Sequence, residues 1–225
     1  MLEEVGPGLW TAPVRHRVFG IDPRRQMIVA RLAGGGLWVH SPPIPTPENR
    51  DALTALGVVR HVVGPSLWHD ECMAEFQSAH PEAIFHATPG LAGRCRDVRF
   101  ACELGDSSHA DWAGDLEQHL VRGMPRMNEV VFFHRAARAL ILADLAINVG
   151  PPASFVTRCL FGLAGAWNRF TPTRYCRSLI EDRSALQASV ERILGWEFEC
   201  IVVGHGRNLP RGGRASFREA FGFLF

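Results

Sequence analysis

The amino-acid sequence predicts a layered α/β fold, and three observations support this prediction. The chain has 225 residues, of which 47% are hydrophobic and 21% charged, so it can bury a sizeable core and is not disordered as a whole. Short β-rich runs alternate with helical segments in the order strand, helix, strand, helix, strand, which is typical of layered α/β proteins. No run of about 18 uncharged apolar residues, the length of a membrane span, is present. We therefore expect a single domain that covers residues 1–225.

The first half of the chain supplies most of this alternation. Apolar runs on either side of a glycine triplet at 34–36 predict a meander or hairpin within residues 8–40. Thr46-Pro47-Glu48 combines an N-cap, a first-turn proline and a first-turn acid, so we expect a helix from there to Gly57. The next expected elements are a strand at 58–63, a helix at 70–79 and a strand at 83–87.

The second half of the chain begins with a polar, irregular stretch at residues 91–126. Beyond it, apolar runs at 129–134 and 139–144 predict a pair of adjacent strands. Residues 153–180 are apolar and aromatic and predict helical structure that Pro172 interrupts. The remaining expected elements are a helix that begins at Asp182 or Ser184, a strand at 199–203 and a helix at 214–222.

The charge balance excludes some classes of function. The 24 basic residues, all of them arginine, nearly match the 23 acidic ones and give a net charge of +1. A general nucleic-acid binder would need a basic surplus, and a Schiff-base lysine is ruled out because the chain has no lysine. The acidic start, Met1-Leu2-Glu3-Glu4, lacks the features of a signal peptide. We expect a cytoplasmic protein with no nucleic-acid or membrane partner, and its oligomeric state stays open.

The six cysteines give no sign of a zinc or redox motif. None of them forms a C-x-x-C pair, the spacing of zinc ribbons and thioredoxin-like sites. We expect free thiols that fill small apolar spaces in a reducing compartment.

Residues able to bind a metal follow three of the apolar runs. His69-Asp70 comes after the strand expected at 58–63, Asp144 ends the later apolar run, and His205 stands between glycines after the last strand. Because sites in α/β proteins gather just beyond strand ends, these side chains could meet, and imidazoles with carboxylates bind divalent cations. Each also has an ordinary structural interpretation: a helix N-cap for His69-Asp70, a cap or turn for Asp144, and a hydrogen-bonded turn for His205.

A further interpretation rests on segments within about residues 8–150 and near the end of the chain. These segments are Gly36-Leu37-Trp38-Val39-His40-Ser41-Pro42, Leu56-Gly57-Val58-Val59-Arg60, Gly64-Pro65-Ser66-Leu67-Trp68-His69, Ala87-Thr88-Pro89-Gly90-Leu91, Asn128-Glu129-Val130-Val131-Phe132-Phe133-His134, Leu140-Ile141-Leu142-Ala143-Asp144-Leu145-Ala146-Ile147-Asn148 and Gly204-His205-Gly206. In them the chain resembles the metallo-β-lactamase superfamily and, more closely, the uncharacterised DUF4336 family. The resemblance implies an αββα four-layer sandwich of the metallo-β-lactamase type.

The resemblance also implies a reduced set of metal ligands. Where the superfamily has H-x-H-x-D-H, this chain reads Pro65-Ser66-Leu67-Trp68-His69-Asp70, and near Met127-Asn128-Glu129 a later histidine of the superfamily is absent. The ligands of one of the superfamily's two metal ions are therefore missing, whereas ligand types remain for the other. These metal candidates are His69, Asp70, Asp144 and His205, with Asp70 either a ligand or a residue behind one. We expect one divalent metal, zinc first, with iron or manganese as the alternatives.

The function implied is a mononuclear metal-dependent hydrolase that acts on a small ester, lactone or related small-molecule substrate through a metal-activated water. His134 and Glu129 are the candidate catalytic residues, as acid or base; their alternative roles are a hydrogen-bonded strand residue and a solvated strand-end charge. Two rival functions stay open. One is a catalytically inactive, metal-free binding or scaffold protein, and the other is a non-haem iron oxidoreductase, because two histidines and a carboxylate also hold Fe(II).

Overall fold

The computed structural model describes residues 2–14 and 21–225. Within them, the strands are β1 (Glu3–Gly6), β2 (Leu9–Pro13), β3 (Gln26–Arg31), β4 (Gly36–His40), β5 (Val58–Gly64), β6 (Ile84–Ala87), β7 (Cys102–Glu103), β8 (Leu116–Leu120), β9 (Val130–His134), β10 (Ala139–Leu142) and β11 (Cys200–Val203). The helices are α1 (Pro47–Leu56), α2 (Met73–Ala79), α3 (Leu91–Arg94), α4 (Phe155–Leu163), α5 (Arg174–Ser178), α6 (Arg183–Leu194) and α7 (Gly213–Ala220), followed by a 3₁₀ turn at Gly222–Leu224.

The strands form two sheets. The larger sheet carries β1 to β7 in chain order, and the smaller sheet has the order β11-β10-β9-β8. In the larger sheet, β1 to β4 pair antiparallel as a meander, whereas β4 to β7 run parallel. In the smaller sheet, β10 and β11 are parallel neighbours. Parallel strands present their carboxyl ends at the same edge, which is where loops can build a site.

Apolar side chains fill the spaces between the layers. Between the sheets, the ring of Trp38 meets Phe132 edge-on with centroids 4.8 Å apart. Leu53 of α1 and Phe76 of α2 belong to the core on the outer face of the larger sheet. Helices α6 and α7 cover the outer face of the smaller sheet. The order helix, sheet, sheet, helix confirms the expected αββα sandwich.

Local sequence signals explain where two helices begin. Thr46 Oγ1 accepts a hydrogen bond from the backbone N–H of Asn49 at 3.3 Å, and a proline opens α1. For α6 the sequence left Asp182 and Ser184 as alternatives. Asp182 is the cap, because its Oδ1 accepts a first-turn backbone N–H at 2.9 Å.

The structure differs from several expected boundaries. Helix α2 begins at Met73 rather than at 70, because Cys72 has a left-handed backbone with φ of 63° and cannot continue a right-handed helix. The stretch at 91–126, expected to be irregular, contains β8, whose residues alternate between the core and the surface. By contrast, the region at 153–180 is helical and interrupted around Pro172 as expected, with α4 before that proline and α5 after it.

The strand-rich region expected at 8–40 includes residues 15–20, which lie outside the described residues; the rest of it contains β2, β3 and β4. All six cysteines are free thiols, as expected, but only Cys176 and Cys200 are buried, and Cys102 and Cys159 are exposed instead of filling apolar spaces. Among the described residues, no helix has the length and apolar character that crossing a bilayer would require.

Candidate metal centre

Three strand ends meet at one place in the sandwich. His69 follows β5, Asp144 follows β10 and His205 follows β11. One potential ligand atom from each lies within 4.8 Å of the other two. We call these three residues the strand-end cluster.

The carboxylate of Asp144 lies between the two imidazoles. His69 Nε2 is 3.3 Å from Asp144 Oδ2, and His205 Nε2 is 3.2 Å from Asp144 Oδ1. The Ser66 hydroxyl donates a hydrogen bond to Oδ2 at 2.5 Å and so fixes the orientation of the carboxylate. The side chains of His69, Asp144 and His205 are 2%, 10% and 16% exposed, so solvent reaches the cluster from the side of Asp144 and His205.

The His69 ring is held on its far side by Ser41. His69 Nδ1 lies 2.5 Å from Ser41 Oγ, which in turn lies 3.0 Å from His40 Nδ1. Ser41 directly follows β4 and has a left-handed backbone with φ of 57°. Such a conformation costs a non-glycine residue about 1–3 kcal/mol and occurs preferentially at functional sites. With its Nδ1 side occupied, the ring presents Nε2 to Asp144.

Asp144 is supported from beneath by Glu129. The backbone N–H groups of Ala143, Asp144 and Leu145 all donate to the Glu129 carboxylate, at 2.7–2.8 Å. Glu129 is fully buried just before β9, which pairs antiparallel with β10. Burial and the nearby Asp144 raise the pKa of Glu129 to about 8, while the three N–H donors act in the opposite direction. Glu129 therefore fixes the backbone of the Asp144 loop and does not face solvent.

His205 depends on the glycine that follows it. Gly206 has φ of 103°, and a Cβ there would lie 2.2 Å from the carbonyl oxygen of Asn148, so only glycine fits. The Asn148 N–H donates to the His205 carbonyl at 3.0 Å, and His205 Nδ1 lies 3.3 Å from the carbonyl oxygen of Pro23. Because a carbonyl oxygen can only accept, this contact favours a proton on Nδ1 and a free lone pair on Nε2.

The electrostatics favour an ionised Asp144 carboxylate beside a neutral His69 imidazole. Burial lowers the pKa of His69, and Asp144 opposes that shift. Burial acts to raise the pKa of Asp144, but His69 and His205 hold it well below its usual range. Arg25 is 3% exposed, pairs with Glu71 at 2.9 Å and places a positive charge near His69. Metal ions bind these residue types in the same protonation states: neutral imidazole and ionised carboxylate.

The strand-end cluster fits a divalent metal ion. His69 Nε2 is buried and has no hydrogen-bond partner among the described residues, and such an atom is costly to leave unsatisfied. The separations of 3.2 and 3.3 Å between ring nitrogens and carboxylate oxygens are short enough for one ion to bridge. For comparison, neighbouring ligands of a tetrahedral zinc ion are about 3.4 Å apart. Three protein ligands leave further coordination positions open.

The structure places other candidate residues outside the strand-end cluster. Asp70 Oδ2 lies 3.7 Å from an Arg94 nitrogen, and Asp70 lines a surface depression of about 330 Å³ beside α2. His134 ends β9 at the opposite end of the smaller sheet from Asp144. Its Nδ1 accepts the backbone N–H of Ala137 at 3.2 Å, so this ring already has a structural partner.

Three residues of the site were not expected from the sequence. Ser66 lies in the loop that carries His69, Ser41 follows β4, and Arg25 immediately precedes β3. The sequence gives one local sign that Ser41 could belong to a site: it directly follows the apolar run that ends at His40. Nothing in the local sequence marks Arg25 as a buried neighbour of His69.

Comparison with solved structures finds the same architecture in proteins of low sequence identity. A metallo-β-lactamase from Pontibacter korlensis superposes with a TM-score of 0.67 at 11% identity, over 100% of this chain and 98% of that chain. The metallo-β-lactamase FIM-1 from Pseudomonas aeruginosa, in its mono-zinc form, gives 0.65 at 12% identity, over 100% and 93%. The metal-soaked Flv1 flavodiiron core from Synechocystis sp. gives 0.65 at 10% identity, over 100% and 60%.

No family model matches the sequence, and no curated protein matches it. Identities of 10–12% establish a common fold and nothing about substrate or activity. The chain has the αββα fold of the metallo-β-lactamase proteins.

Proposed function

We propose that this chain is a metal-dependent hydrolase in which His69, Asp144 and His205 hold a single divalent ion, with zinc as the first choice. The observation that carries the proposal is the buried Nε2 of His69, which lacks a hydrogen-bond partner among the described residues and lies 3.3 Å from a carboxylate shared with a second imidazole. Two histidines and one carboxylate with an open position form a known type of catalytic zinc site.

The proposed substrate is a small ester, a lactone or a related molecule with a hydrolysable carbonyl group. Two of the proteins of similar fold described above are named as β-lactamases, which supports a small substrate with such a group. The partly exposed side of Asp144 and His205 gives this substrate a route to the cluster.

In this proposal the ion and the chain have separate tasks. A divalent ion, when bound, acidifies a water molecule and polarises a carbonyl or phosphoryl oxygen. Ser66 holds the Asp144 carboxylate, and Ser41 holds the His69 ring through Nδ1. Glu129 is a positioning residue that fixes the Asp144 backbone through three hydrogen bonds. These contacts keep the ligands in place before the ion arrives, which lowers the cost of binding it.

The proposal also includes four predictions made from the sequence. They are the resemblance to the DUF4336 family, the single domain over residues 1–225, the cytoplasmic location and the small-molecule substrate. Asp70 and His134 have no role in the proposed reaction, because their side chains have other partners.

A second candidate function is that of a non-haem iron oxidoreductase. It is favoured by the ligand set itself, since two histidines and one carboxylate hold Fe(II) with open positions in many oxygenases. One protein of similar fold is a flavodiiron core. Purified protein that contains iron and consumes oxygen would favour this candidate over the hydrolase.

The test combines metal analysis with hydrolysis. Wild-type protein, Asp144→Asn and His205→Gln are compared with the control His80→Gln, whose histidine caps α2 outside the strand-end cluster. We expect wild type and the control to hydrolyse chromogenic esters or lactones, to lose this activity to a chelator and to regain it with Zn²⁺. Both cluster variants should be folded by circular dichroism but inactive. Hydrolysis that survives in Asp144→Asn and in chelator would contradict the proposal.

A further inference from the structure

A second group of histidines lies apart from the strand-end cluster, and the proposed hydrolase makes no use of it. His61 is on β5, His86 is on β6, and both His109 and Asp111 belong to the connection between β7 and β8. We call these four residues the edge cluster, because β6 and β7 form one edge of the larger sheet. Trp112, part of the core between the sheets, contacts all three imidazoles at centroid distances of 4.7–5.1 Å.

The inner part of the edge cluster is a buried pair of imidazoles. His61 and His86 are 4% and 0% exposed, and His61 Nδ1 lies 3.2 Å from His86 Nε2. If His61 Nδ1 carries the proton of this hydrogen bond, its Nε2 keeps a free lone pair. A ring that is hydrogen-bonded through one nitrogen and free at the other is the usual arrangement of a metal-binding histidine. His86 Nδ1 is buried without a partner among the described residues. Burying an unpaired polar atom costs free energy, so apolar packing alone gives no reason for histidines at these positions.

The outer part of the edge cluster converges on one carboxylate oxygen. Asp111 Oδ2 lies 3.4 Å from His61 Nε2 and 3.6 Å from His109 Nδ1. Both contacts are too long for strong hydrogen bonds, which have N–O distances of about 2.7–3.2 Å. Both are close to the separation of about 3.4 Å between neighbouring ligands of a tetrahedral zinc ion. The third pair, His61 Nε2 and His109 Nδ1, is more than 4.8 Å apart, so the three ligand atoms do not surround one point without a local change.

We propose that the edge cluster is a second metal site, in which His61, His109 and Asp111 bind a divalent ion of the zinc type and His86 orients the His61 ring. Imidazole nitrogens together with a carboxylate suit zinc and its neighbours among the transition metals. The side chains of His109 and Asp111 are 31% and 53% exposed, so an ion can reach the site from solvent.

Closing the site requires one local change. In the structure, the Asp111 backbone N–H donates to His109 Nδ1 at 3.3 Å. Binding exchanges this long hydrogen bond for coordination and turns the His109 ring towards His61. The change is confined to an exposed turn, where backbone and side chains rearrange at low cost. Once bound, the ion fastens the connection between the two sheets to β5.

The experiment counts metal ions per chain. Metal-free protein is dialysed against micromolar Zn²⁺, and bound zinc is measured by elemental analysis for wild type, Asp111→Asn, His109→Gln and Asp144→Asn. We expect about two zinc ions per chain in wild type, one fewer in each single variant, and none in the double variant Asp111→Asn with Asp144→Asn. Because the edge and strand-end variants remove different ions, failure of this proposal is distinguishable from failure of the proposed function.

A matched control uses a His–Asp pair that lies outside both clusters. His119 Nδ1 lies 3.0 Å from Asp106 Oδ1, and His119→Gln should leave the zinc content at the wild-type value. Co²⁺ gives a second readout, because its visible absorption reports nitrogen and oxygen ligands; the bands that survive in Asp144→Asn should disappear when Asp111→Asn is added. Wild-type zinc content in both Asp111→Asn and His109→Gln would overturn the proposal.

Discussion

The strand-end cluster and the edge cluster contain the same residue types but are supported in different ways. In the strand-end cluster, Ser41 holds the outer nitrogen of His69 and Glu129 anchors the backbone of Asp144. In the edge cluster only His61 and His86 are buried, each as the partner of the other, while Asp111 and His109 lie on an exposed turn. Two sites with the same types of ligand can therefore differ in how firmly the ligands are held before an ion binds. We expect the strand-end cluster to bind zinc more tightly than the edge cluster.

The largest expected effect of a single substitution comes from Glu129→Leu. This change removes the acceptor of three backbone N–H groups, two of them fully buried, and a buried one costs about 1–3 kcal/mol when left unpaired. The free energy of unfolding should fall by about 3 kcal/mol or more. Denaturant titration measures it. The exposed Asp111→Asn is the matched substitution in the edge cluster, and it should change stability by less than about 0.5 kcal/mol. Similar losses in both variants would contradict the difference in support.

The next largest effect is expected at Gly206, which follows His205. Comparing it with a second glycine separates the cost of backbone strain from the cost of a steric clash. Gly206→Ala places a Cβ 2.2 Å from the Asn148 carbonyl oxygen at φ of 103°, whereas Gly212→Ala at φ of 66° meets nothing within 4 Å. We expect Gly212→Ala to cost about 1 kcal/mol of stability and to leave zinc binding intact. Gly206→Ala should cost about 2 kcal/mol or more and weaken zinc binding at the strand-end cluster. Unchanged zinc affinity in Gly206→Ala would show that His205 is not positioned by this turn.

A smaller effect is expected from Ser41→Ala. The substitution removes the partner of His69 Nδ1 and keeps all three proposed ligands. Loss of such a supporting contact typically weakens metal binding by about 10–100-fold. Calorimetric titration with Zn²⁺ in the Asp111→Asn background isolates this site. Ser178→Ala, an exposed serine on α5, is the control and should bind zinc as its parent does.

The smallest effect concerns pH and His134, which lies outside both clusters. Burial lowers the pKa of His134 in the folded chain, with Asp115 opposing, whereas the unfolded chain takes up a proton near its ordinary value of about 6.5. Between these two pKa values the unfolded state holds more protons, so the free energy of unfolding falls as the pH falls below about 6.5. His134→Gln should therefore lose less stability than wild type between about pH 7.5 and about pH 5, by at most about 1.4 kcal/mol per pH unit. Equal losses in the two metal-free proteins would refute this assignment.

The strand-end cluster was accessible to sequence reasoning because its residues follow apolar runs. The carboxyl ends of parallel strands lie at a common edge, so His69, Asp144 and His205 could be grouped without coordinates. Glu129 was singled out, but its role was not foreseen. Its three acceptor contacts depend on how β9 pairs with β10, and a pairing register is a long-range property that the local sequence does not state.

The edge cluster was inaccessible to the same reasoning. His61 and His86 lie within strands, and their shared face depends on an irregularity between β4 and β5, where Leu37 pairs with Val59 but Trp38 pairs with His61. One residue of shift would turn His61 to the other face of the sheet. His109 and Asp111 come from a stretch with no expected element. The αββα order of layers was likewise implied by the resemblance and not by the strand and helix pattern alone.

Zinc-edge anomalous diffraction from crystals soaked in Zn²⁺ tests the central claim most directly, because it locates the ion itself. Our account predicts a peak about 2.0–2.2 Å from His69 Nε2, His205 Nε2 and an Asp144 oxygen. The absence of a peak at these three atoms, in crystals whose cluster is open to solvent, would contradict it.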